Sequence, residues 1–199
     1  EFNKGKKAAI LFDGAMSHAR VYLNGKEVGY WPYGYNSFKF DITPYLIEGG
    51  ENLLAVRLEN LTESSRWYPG AGLYRNVHVI VTEDAHIPVW GTQLTTPKIT
   101  SEFAKVNLKT KAVRPVDSKV DNFHLVTEIK DANNRVVATG EEKLSKYDGD
   151  VFEQNLIVNQ PKLWDTENPY FYKAVSKLYD GSSLKDEYTS TFGIRSIEI

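Results

Sequence analysis

The sequence predicts an all-β protein that contains two consecutive β-sandwiches. Short runs of alternating apolar and polar residues recur along the chain, and turn-forming pairs such as Asn24-Gly25 and Asp180-Gly181 separate several of them. No segment keeps the 3.6-residue apolar repeat of a helix for more than a turn or two. A short polar stretch that ends in a proline, residues 82–88, divides the pattern in two. We therefore expect one domain over residues 1–83 and a second over residues 84–199.

Five strands are predicted in the first domain. Asn24-Gly25 indicates a hairpin, because a two-residue type I′ turn needs positive φ at both central positions. Thr43-Pro44 is typical of a helix start, so residues 44–47 are predicted to form one helical turn. The five strands are expected at residues 19–23, 26–31, 38–42, 54–58 and 77–81.

Seven strands are predicted in the second domain, and seven over about 110 residues is typical of an immunoglobulin-like sandwich. Asp131-Ala132-Asn133-Asn134 and Asp180-Gly181 provide its clearest turns. The strands are expected at residues 89–94, 104–113, 122–130, 135–139, 151–158, 170–178 and 184–192.

Composition excludes several classes of function. A formal net charge of −2 favours neither nucleic acid nor an anionic membrane as a partner. With no cysteine, disulfide scaffolds, thiolate zinc sites and cysteine nucleophiles are excluded. The four histidines lie far apart without metal-ligand spacing, so we expect no metal and no cofactor. No apolar run approaches the roughly 18 residues that a membrane-spanning helix needs. The cellular compartment and the formation of a homo-oligomer stay open.

Several motifs together resemble family 2 glycoside hydrolases, the β-galactosidase, β-glucuronidase and β-mannosidase group. They are FDGAMSHARVYLNGKEVGY from residue 12, FDITPYL from residue 40, GENLLAVRLEN from residue 50, GAGLYRNVHVIV from residue 70, LWDTENPYFYKAVSKLYDG from residue 163 and FGIR from residue 192. The resemblance implies that residues 1–83 form the C-terminal part of a jelly-roll sugar-binding-like domain and residues 84–199 an immunoglobulin-like domain. It also implies a catalytic (β/α)8 barrel directly after Phe192-Gly193-Ile194-Arg195.

A jelly roll has about eight strands, so five strands indicate that its front is missing. We therefore expect further strands upstream of Glu1. The first domain by itself should show an unpaired edge or an uncovered apolar face.

Retaining glycoside hydrolysis uses two carboxyl groups about 5–5.5 Å apart. In the resembled family both belong to the barrel, and the acid/base glutamate lies within an Asn-Glu dipeptide, which this sequence does not contain. The carboxylates of this chain, such as Asp131 and Glu141, are predicted to lie in turns or on solvated strand faces. We therefore assign no catalytic residue to this segment. It is expected to be inactive alone, to buttress the downstream barrel and to shape the rim of its carbohydrate pocket.

The loop of residues 63–72 is the main candidate for substrate contact, through Arg66, Trp67 and Tyr68. A guanidinium can donate two parallel hydrogen bonds to sugar hydroxyls or a carboxylate, and an indole can stack on the apolar face of a pyranose. In the resembled family the equivalent loop reaches the active-site mouth, although many relatives carry aspartate at the position of Arg66. The alternative is that Trp67 and Tyr68 pack under the loop while Arg66 pairs with a neighbouring domain.

A second aromatic cluster, residues 30–35, could form a carbohydrate platform, but the favoured interpretation is structural packing. Trp164 is expected to belong to the core and turn of the second sandwich. The GAGLYR motif favours the β-galactosidase and β-glucuronidase branch, with a β-galactosidase as the leading hypothesis. Two alternatives stay open: a stand-alone carbohydrate-binding two-sandwich module, and a structural sandwich that binds a protein partner.

Overall fold

The computed structural model describes residues 5–63, 65–144 and 150–196. Within these ranges the regular structure is β, apart from two short 3₁₀ turns at Thr43–Tyr45 and Val120–Asn122. The chain separates into two compact units, Glu1–Glu83 and Asp84–Ile199. The predicted all-β fold class is confirmed.

The first unit contains two three-stranded antiparallel sheets. Its strands are β1 (Lys7–Phe12), β2 (Ala19–Leu23), β3 (Lys26–Trp31), β4 (Phe38–Asp41), β5 (Leu54–Arg57) and β6 (Val77–Thr82). One sheet has the order β4-β1-β6 and the other β3-β2-β5. The prediction of five strands was wrong by one, because β1 was missed. After Lys7 its sequence, AAILF, is a continuous apolar run without the alternation that reveals a half-buried strand.

Local signals account for the hairpin and the helical turn of this unit. Asn24 and Gly25 have φ values of 52° and 78°, the left-handed conformation that a two-residue hairpin turn requires. The predicted turn at residues 44–47 is a 3₁₀ turn over Thr43–Tyr45, one residue earlier than expected. In the core, the rings of Phe12 and Phe38 stack with centroids 4.8 Å apart.

The inner surface of the edge strand β6 is uncovered. The register places Val77 opposite Phe12, Val79 opposite Ile10 and Val81 opposite Ala8. Directly opposed residues point to the same face, so the three valines face the side on which β1 is buried. They are nevertheless 37%, 65% and 50% exposed, whereas their partners on β1 are at most 3% exposed. The expected uncovered apolar face is therefore present.

Strand β5 repeats this exposure in the second sheet. Leu54 pairs with the buried Leu23 of β2 and is still 37% exposed. Within the described residues, β5 and β6 each pair on one side only. Both sheets of the first unit thus end in an edge strand whose inner face is partly open.

The second unit is a four-plus-three sandwich. Its strands are β7 (Thr92–Ile99), β8 (Phe103–Lys111), β9 (Phe123–Lys130), β10 (Val136–Lys143), β11 (Val151–Asn159), β12 (Tyr172–Asp180) and β13 (Ser183–Phe192). The sheets have the orders β10-β9-β12-β13 and β11-β8-β7. The count of seven is as predicted, but the first strand begins at Thr92 rather than at residue 89. Trp90 has a φ of 64°, and the Gly91 N–H donates to the Pro88 carbonyl over 2.7 Å, so residues 88–91 form a turn.

A buried polar network connects the two sheets of the second unit. The Thr127 hydroxyl donates to Gln154 Oε1 over 2.6 Å and lies 3.1 Å from the Ser176 hydroxyl. The Gln154 amide donates to the Leu125 carbonyl over 3.1 Å. Thr127 and Ser176 lie on β9 and β12, and Gln154 lies on β11 of the opposing sheet. The network fixes the alignment of the sheets, because any shift would leave buried polar groups without partners.

Asp131 is not on a solvated face, contrary to the sequence prediction. The residue is 4% exposed, and its carboxylate accepts hydrogen bonds from the Asn133 and Arg135 N–H groups and from the Arg135 guanidinium, at 2.8–2.9 Å. Burial by itself would raise the pKa of Asp131, but the hydrogen bonds from Arg135 and Asn133 outweigh it and hold the pKa below its ordinary value. The carboxylate therefore organises the β9–β10 turn.

Candidate functional site

The candidate loop between β5 and β6 is anchored to the segment that follows β1. The Met16 N–H donates to the Gly72 carbonyl over 3.0 Å, and the Gly72 N–H donates back over 3.2 Å. Gly70 and Gly72 have φ values of 74° and 94°, a region in which a side chain is strained. The two glycines therefore let the loop turn back against the body of the first unit.

The three predicted site residues are exposed on this loop. Trp67 is 62% and Tyr68 90% exposed, so the alternative in which both rings pack under the loop is wrong. Arg66 is also exposed, and no ion pair to its guanidinium is formed within the described part of the chain. All three side chains are thus accessible to a ligand in this structure.

The structure brings Trp67 together with the second aromatic cluster. The Trp67 indole N–H donates to the Tyr35 hydroxyl over 2.7 Å, and the two ring centroids lie 6.3 Å apart. Tyr33 meets Tyr35 edge-on, with centroids 5.5 Å apart and an interplanar angle of 61°. Tyr33 and Tyr35 are 57% and 45% exposed. We refer to Tyr33, Tyr35 and Trp67 as the aromatic array.

The remaining aromatic residues of the 30–35 stretch have structural contacts. Trp31 is half-buried and stacks on Phe38 with centroids 5.7 Å apart. The Tyr30 hydroxyl lies 2.7 Å from His18 Nδ1, and the Arg20 guanidinium lies 4.7 Å from the Tyr30 ring centroid. The packing interpretation therefore holds for Trp31. Tyr30 is 40% exposed and has surface contacts with His18 and Arg20, and within this unit Tyr33 and Tyr35 are exposed as well.

The backbone beneath the array is held in place. Gly34, between the two tyrosines, is buried, and its carbonyl accepts a hydrogen bond from the Tyr74 hydroxyl over 2.8 Å. A Cβ at Gly34 would lie 2.4 Å from the Met16 sulfur, so a larger residue here would displace the Met16 side chain. Met16 and Tyr74 thus connect the 30–35 turn to the segment that holds the candidate loop.

Two described glutamates, Glu128 and Glu153, have pKa shifts opposite to the shift that a catalytic acid needs. A general acid in glycoside hydrolysis needs a raised pKa. A hydrogen bond from Lys130 and the nearby Lys177 lower the pKa of Glu128, and a hydrogen bond from Asn107 lowers that of Glu153. Both groups therefore favour the ionised form. Within the described ranges, no group of three or more His, Asp or Glu side chains is placed to hold a metal ion.

The second unit has an open groove of about 630 Å³ near β7 and β13. The Arg195 guanidinium lies 4.6 Å from the Trp164 ring centroid in this groove, and none of the lining residues carries a carboxylate. Trp164 is half-buried at the groove and is not among the buried core residues, so the core part of its prediction was wrong. It directly precedes the turn in which the Asn168 N–H donates to Asp165 Oδ1. The groove offers aromatic and hydroxyl surfaces but no acid pair for hydrolysis.

Comparison with protein families identifies both units. A model described as the sugar binding domain of glycosyl hydrolases family 2 matches residues 2–83, and a second family 2 model matches residues 85–195. The chain belongs to glycosyl hydrolase family 2. The predicted resemblance is confirmed, and with it the assignment of a sugar-binding-type sandwich followed by an immunoglobulin-like sandwich.

Individual relatives of this family 2 chain are much longer. It is 40% identical to the β-galactosidase BoGH2A of Bacteroides ovatus, over 98% of this chain and 23% of that protein. It is 29% identical to a β-galactosidase of Thermoanaerobacter pseudethanolicus, over 98% of this chain and 27% of that protein. The chain thus spans about a quarter of the length of these relatives.

Solved structures of family 2 members have the same fold. A member from Bacteroides cellulosilyticus superposes with a TM-score of 0.91 at 36% identity, over 98% of this chain and 27% of that one. A family 2 β-glucuronidase superposes with a TM-score of 0.86 at 30% identity, over 97% of this chain and 22% of that one. No helix in the described part of the family 2 chain has the length and apolar character needed to cross a membrane.

The sequence did not reveal that the two aromatic clusters meet. Tyr35 and Trp67 are 32 positions apart, and only the folded unit brings them within hydrogen-bonding distance. The available signal was the density of aromatic residues in two segments that both connect strands of one sandwich.

Proposed function

We propose that this chain is the non-catalytic N-terminal part of a retaining β-glycosidase that removes terminal β-linked galactose. One observation carries the proposal: family 2 models match both units, while the chain spans only about a quarter of its relatives' length. A β-galactoside is the first choice of substrate, because BoGH2A is a β-galactosidase and is 40% identical.

The structural role of the chain is to support a catalytic barrel that lies downstream in the full-length protein. Glu128, Asp131 and Glu153 are engaged in local structure through hydrogen bonds that lower their pKa values. Three valines are exposed on the inner face of β6, an apolar surface that a larger domain would cover. These observations support a scaffold that depends on the rest of its protein.

The catalytic part of the proposal has a direct test. The full-length product of the gene should hydrolyse p-nitrophenyl β-D-galactoside, and the 199-residue chain should not, because its chemistry would lie elsewhere. Hydrolysis by the pure 199-residue chain would refute the scaffold role. Hydrolysis of the corresponding glucuronide, with the galactoside untouched, would correct the choice of substrate.

Arg66, Trp67 and Tyr68 are proposed to form part of the pocket rim in the full-length protein. Their exposure supports this role. The Arg66 guanidinium has no ion partner among the described residues, so it is available to sugar hydroxyls or to a carboxylate near the substrate. Arg66→Ala in the full-length enzyme should lower kcat/KM for the nitrophenyl galactoside by about tenfold or more, a loss of at least about 1.4 kcal/mol.

Lys26→Ala is the matched control for Arg66→Ala, because it removes one exposed positive charge at the tip of the β2–β3 hairpin. Equal kcat/KM values for Arg66→Ala and Lys26→Ala would contradict the proposed role of Arg66 in the pocket rim. The comparison separates a specific contact from a general change of charge.

A stand-alone carbohydrate-binding module is the second candidate function, and the exposed aromatic array favours it. A gene whose complete product is this two-sandwich chain, with saturable sugar binding and no hydrolysis, would establish that alternative.

A further inference from the structure

We propose that the aromatic array of Tyr33, Tyr35 and Trp67 is a binding surface for a neutral, β-linked oligosaccharide of two or more hexopyranose units. The inference rests on the proposed function, because it takes a glycan as the ligand. It adds Tyr33 and Tyr35 as sugar-contacting residues and gives the chain a binding activity that does not require the catalytic part.

The array is fixed before any ligand binds. The hydrogen bond from the Trp67 indole to the Tyr35 hydroxyl joins the two loops, and the edge-on contact between Tyr33 and Tyr35 fixes the third ring. Aromatic side chains have only two rotatable angles, so rings that already contact one another lose little conformational entropy on binding. The exposed rings are thus preorganised for a ligand.

The chemistry of the array suits a pyranose. Trp67 and Tyr33 are more than half exposed, so each can offer apolar ring surface to the C–H face of a sugar. The Tyr35 hydroxyl accepts the indole hydrogen, and a hydroxyl that accepts can still donate its own proton to a sugar hydroxyl. Apolar ring surface with a few placed polar groups is the usual composition of a small-molecule site.

The dimensions and charge of the array specify the ligand further. Successive ring centroids are 5.5 Å and 6.3 Å apart, so the three rings together extend beyond a single pyranose. None of the three side chains is charged at neutral pH, and a neutral glycan therefore needs no ion partner here. A disaccharide is the shortest ligand that can contact all three rings.

Saturation-transfer NMR on the 199-residue chain tests the inference with β-1,4-linked galactobiose as the probe. Stacking predicts that saturation concentrates on H3, H4 and H5, which form the apolar patch of galactopyranose. Saturation spread evenly over both sugar rings, or no transfer to galactobiose from a chain shown to be folded by circular dichroism, would overturn the proposal.

Variants assign the binding to the array. Tyr33→Ala and Trp67→Ala should each weaken galactobiose binding by about tenfold, the range expected for one aromatic stacking contact. Tyr35→Phe should weaken it less, because the ring stays while the hydroxyl is lost. Trp90→Phe is the control, since Trp90 is a similarly exposed tryptophan (56%) of the second unit. The affinity of this variant for galactobiose should be unchanged. Equal affinity in Tyr33→Ala, Trp67→Ala and Trp90→Phe would exclude the array.

The full-length protein provides the second arm of the test. Tyr33→Ala should raise KM for a β-galactotriose by a larger factor than KM for p-nitrophenyl β-galactoside, which has a single sugar ring. An unchanged KM for the trisaccharide would mean that another domain covers the array, and the proposal would fall. The nitrophenyl assay would still report the glycosidase activity, so failure of this inference and failure of the proposed function are distinguishable.

Discussion

Replacement of Val79 by threonine should affect the isolated chain and the full-length protein very differently. Val79 lies on the inner face of β6, opposite the buried Ile10, yet it is 65% exposed. If further polypeptide covers this face in the full-length protein, the same side chain becomes a core residue there. The substitution therefore tests whether the uncovered face is an internal surface of a larger domain.

The expected magnitudes follow from burial. In the isolated chain the new hydroxyl stays in contact with water, so Val79→Thr should change the unfolding free energy by less than about 0.5 kcal/mol. Where the site is covered, the change buries a hydroxyl without a partner and should cost about 1–3 kcal/mol. Val21→Thr should cost about 1–3 kcal/mol in both proteins, because Val21 is fully buried in the same unit.

Native-state hydrogen exchange, followed by mass spectrometry, measures the local opening of β6 in each protein. In the full-length protein, Val79→Thr should accelerate exchange in the β6 peptide about five- to 150-fold, while the isolated chain shows little change. Val116→Thr, at a residue that is 95% exposed, should have no effect in either protein. Equal small effects of Val79→Thr in both proteins would refute the reasoning, because the valine face would then be exposed in the complete molecule as well.

Two further predictions concern the second unit. Thr127→Val should lower the unfolding free energy of the chain by about 1–3 kcal/mol in urea titrations, because the buried Gln154 Oε1 loses its donor. As the control, Thr189→Val at an exposed residue should change the unfolding free energy by less than about 0.5 kcal/mol. Similar urea midpoints for both variants would contradict the role of the network. The lowered pKa of Asp131 contributes stability that is present above the ordinary aspartate pKa of about 3.9 and is lost as the pH falls through the folded-state pKa. Asp131→Asn should therefore flatten the decline of the unfolding free energy between about pH 5 and pH 3. An unchanged slope would exclude this contribution.

Local chemistry made much of the fold predictable. The Asn24-Gly25 turn was readable because few sequences tolerate positive φ at two successive positions, and the structure has both. Strands such as β9 and β11 were readable because one face is buried and the other solvated. β1 was missed because its outward positions, Ala9 and Leu11, are apolar as well, which removes the alternation.

Features that depend on long-range contacts were beyond the sequence pattern. Asp131 looks like an ordinary turn residue, and its burial follows from the way the β9–β10 turn folds over its carboxylate. Trp164 is a large apolar residue of the kind found in cores, but it lies at an open groove beside Arg195. The aromatic array arises from two loops whose meeting depends on sheet topology, and residue-type patterns do not encode that distance.

The assignment of chemistry to another part of the protein is the central claim, and a mechanism-based label tests it most directly. A retaining glycosidase forms a covalent glycosyl intermediate on a carboxylate. A 2-deoxy-2-fluoro-β-galactosyl fluoride should therefore label the full-length protein, and peptide mapping should place the sugar on an Asp or Glu outside residues 1–199. A label on any carboxylate within these 199 residues would contradict the account.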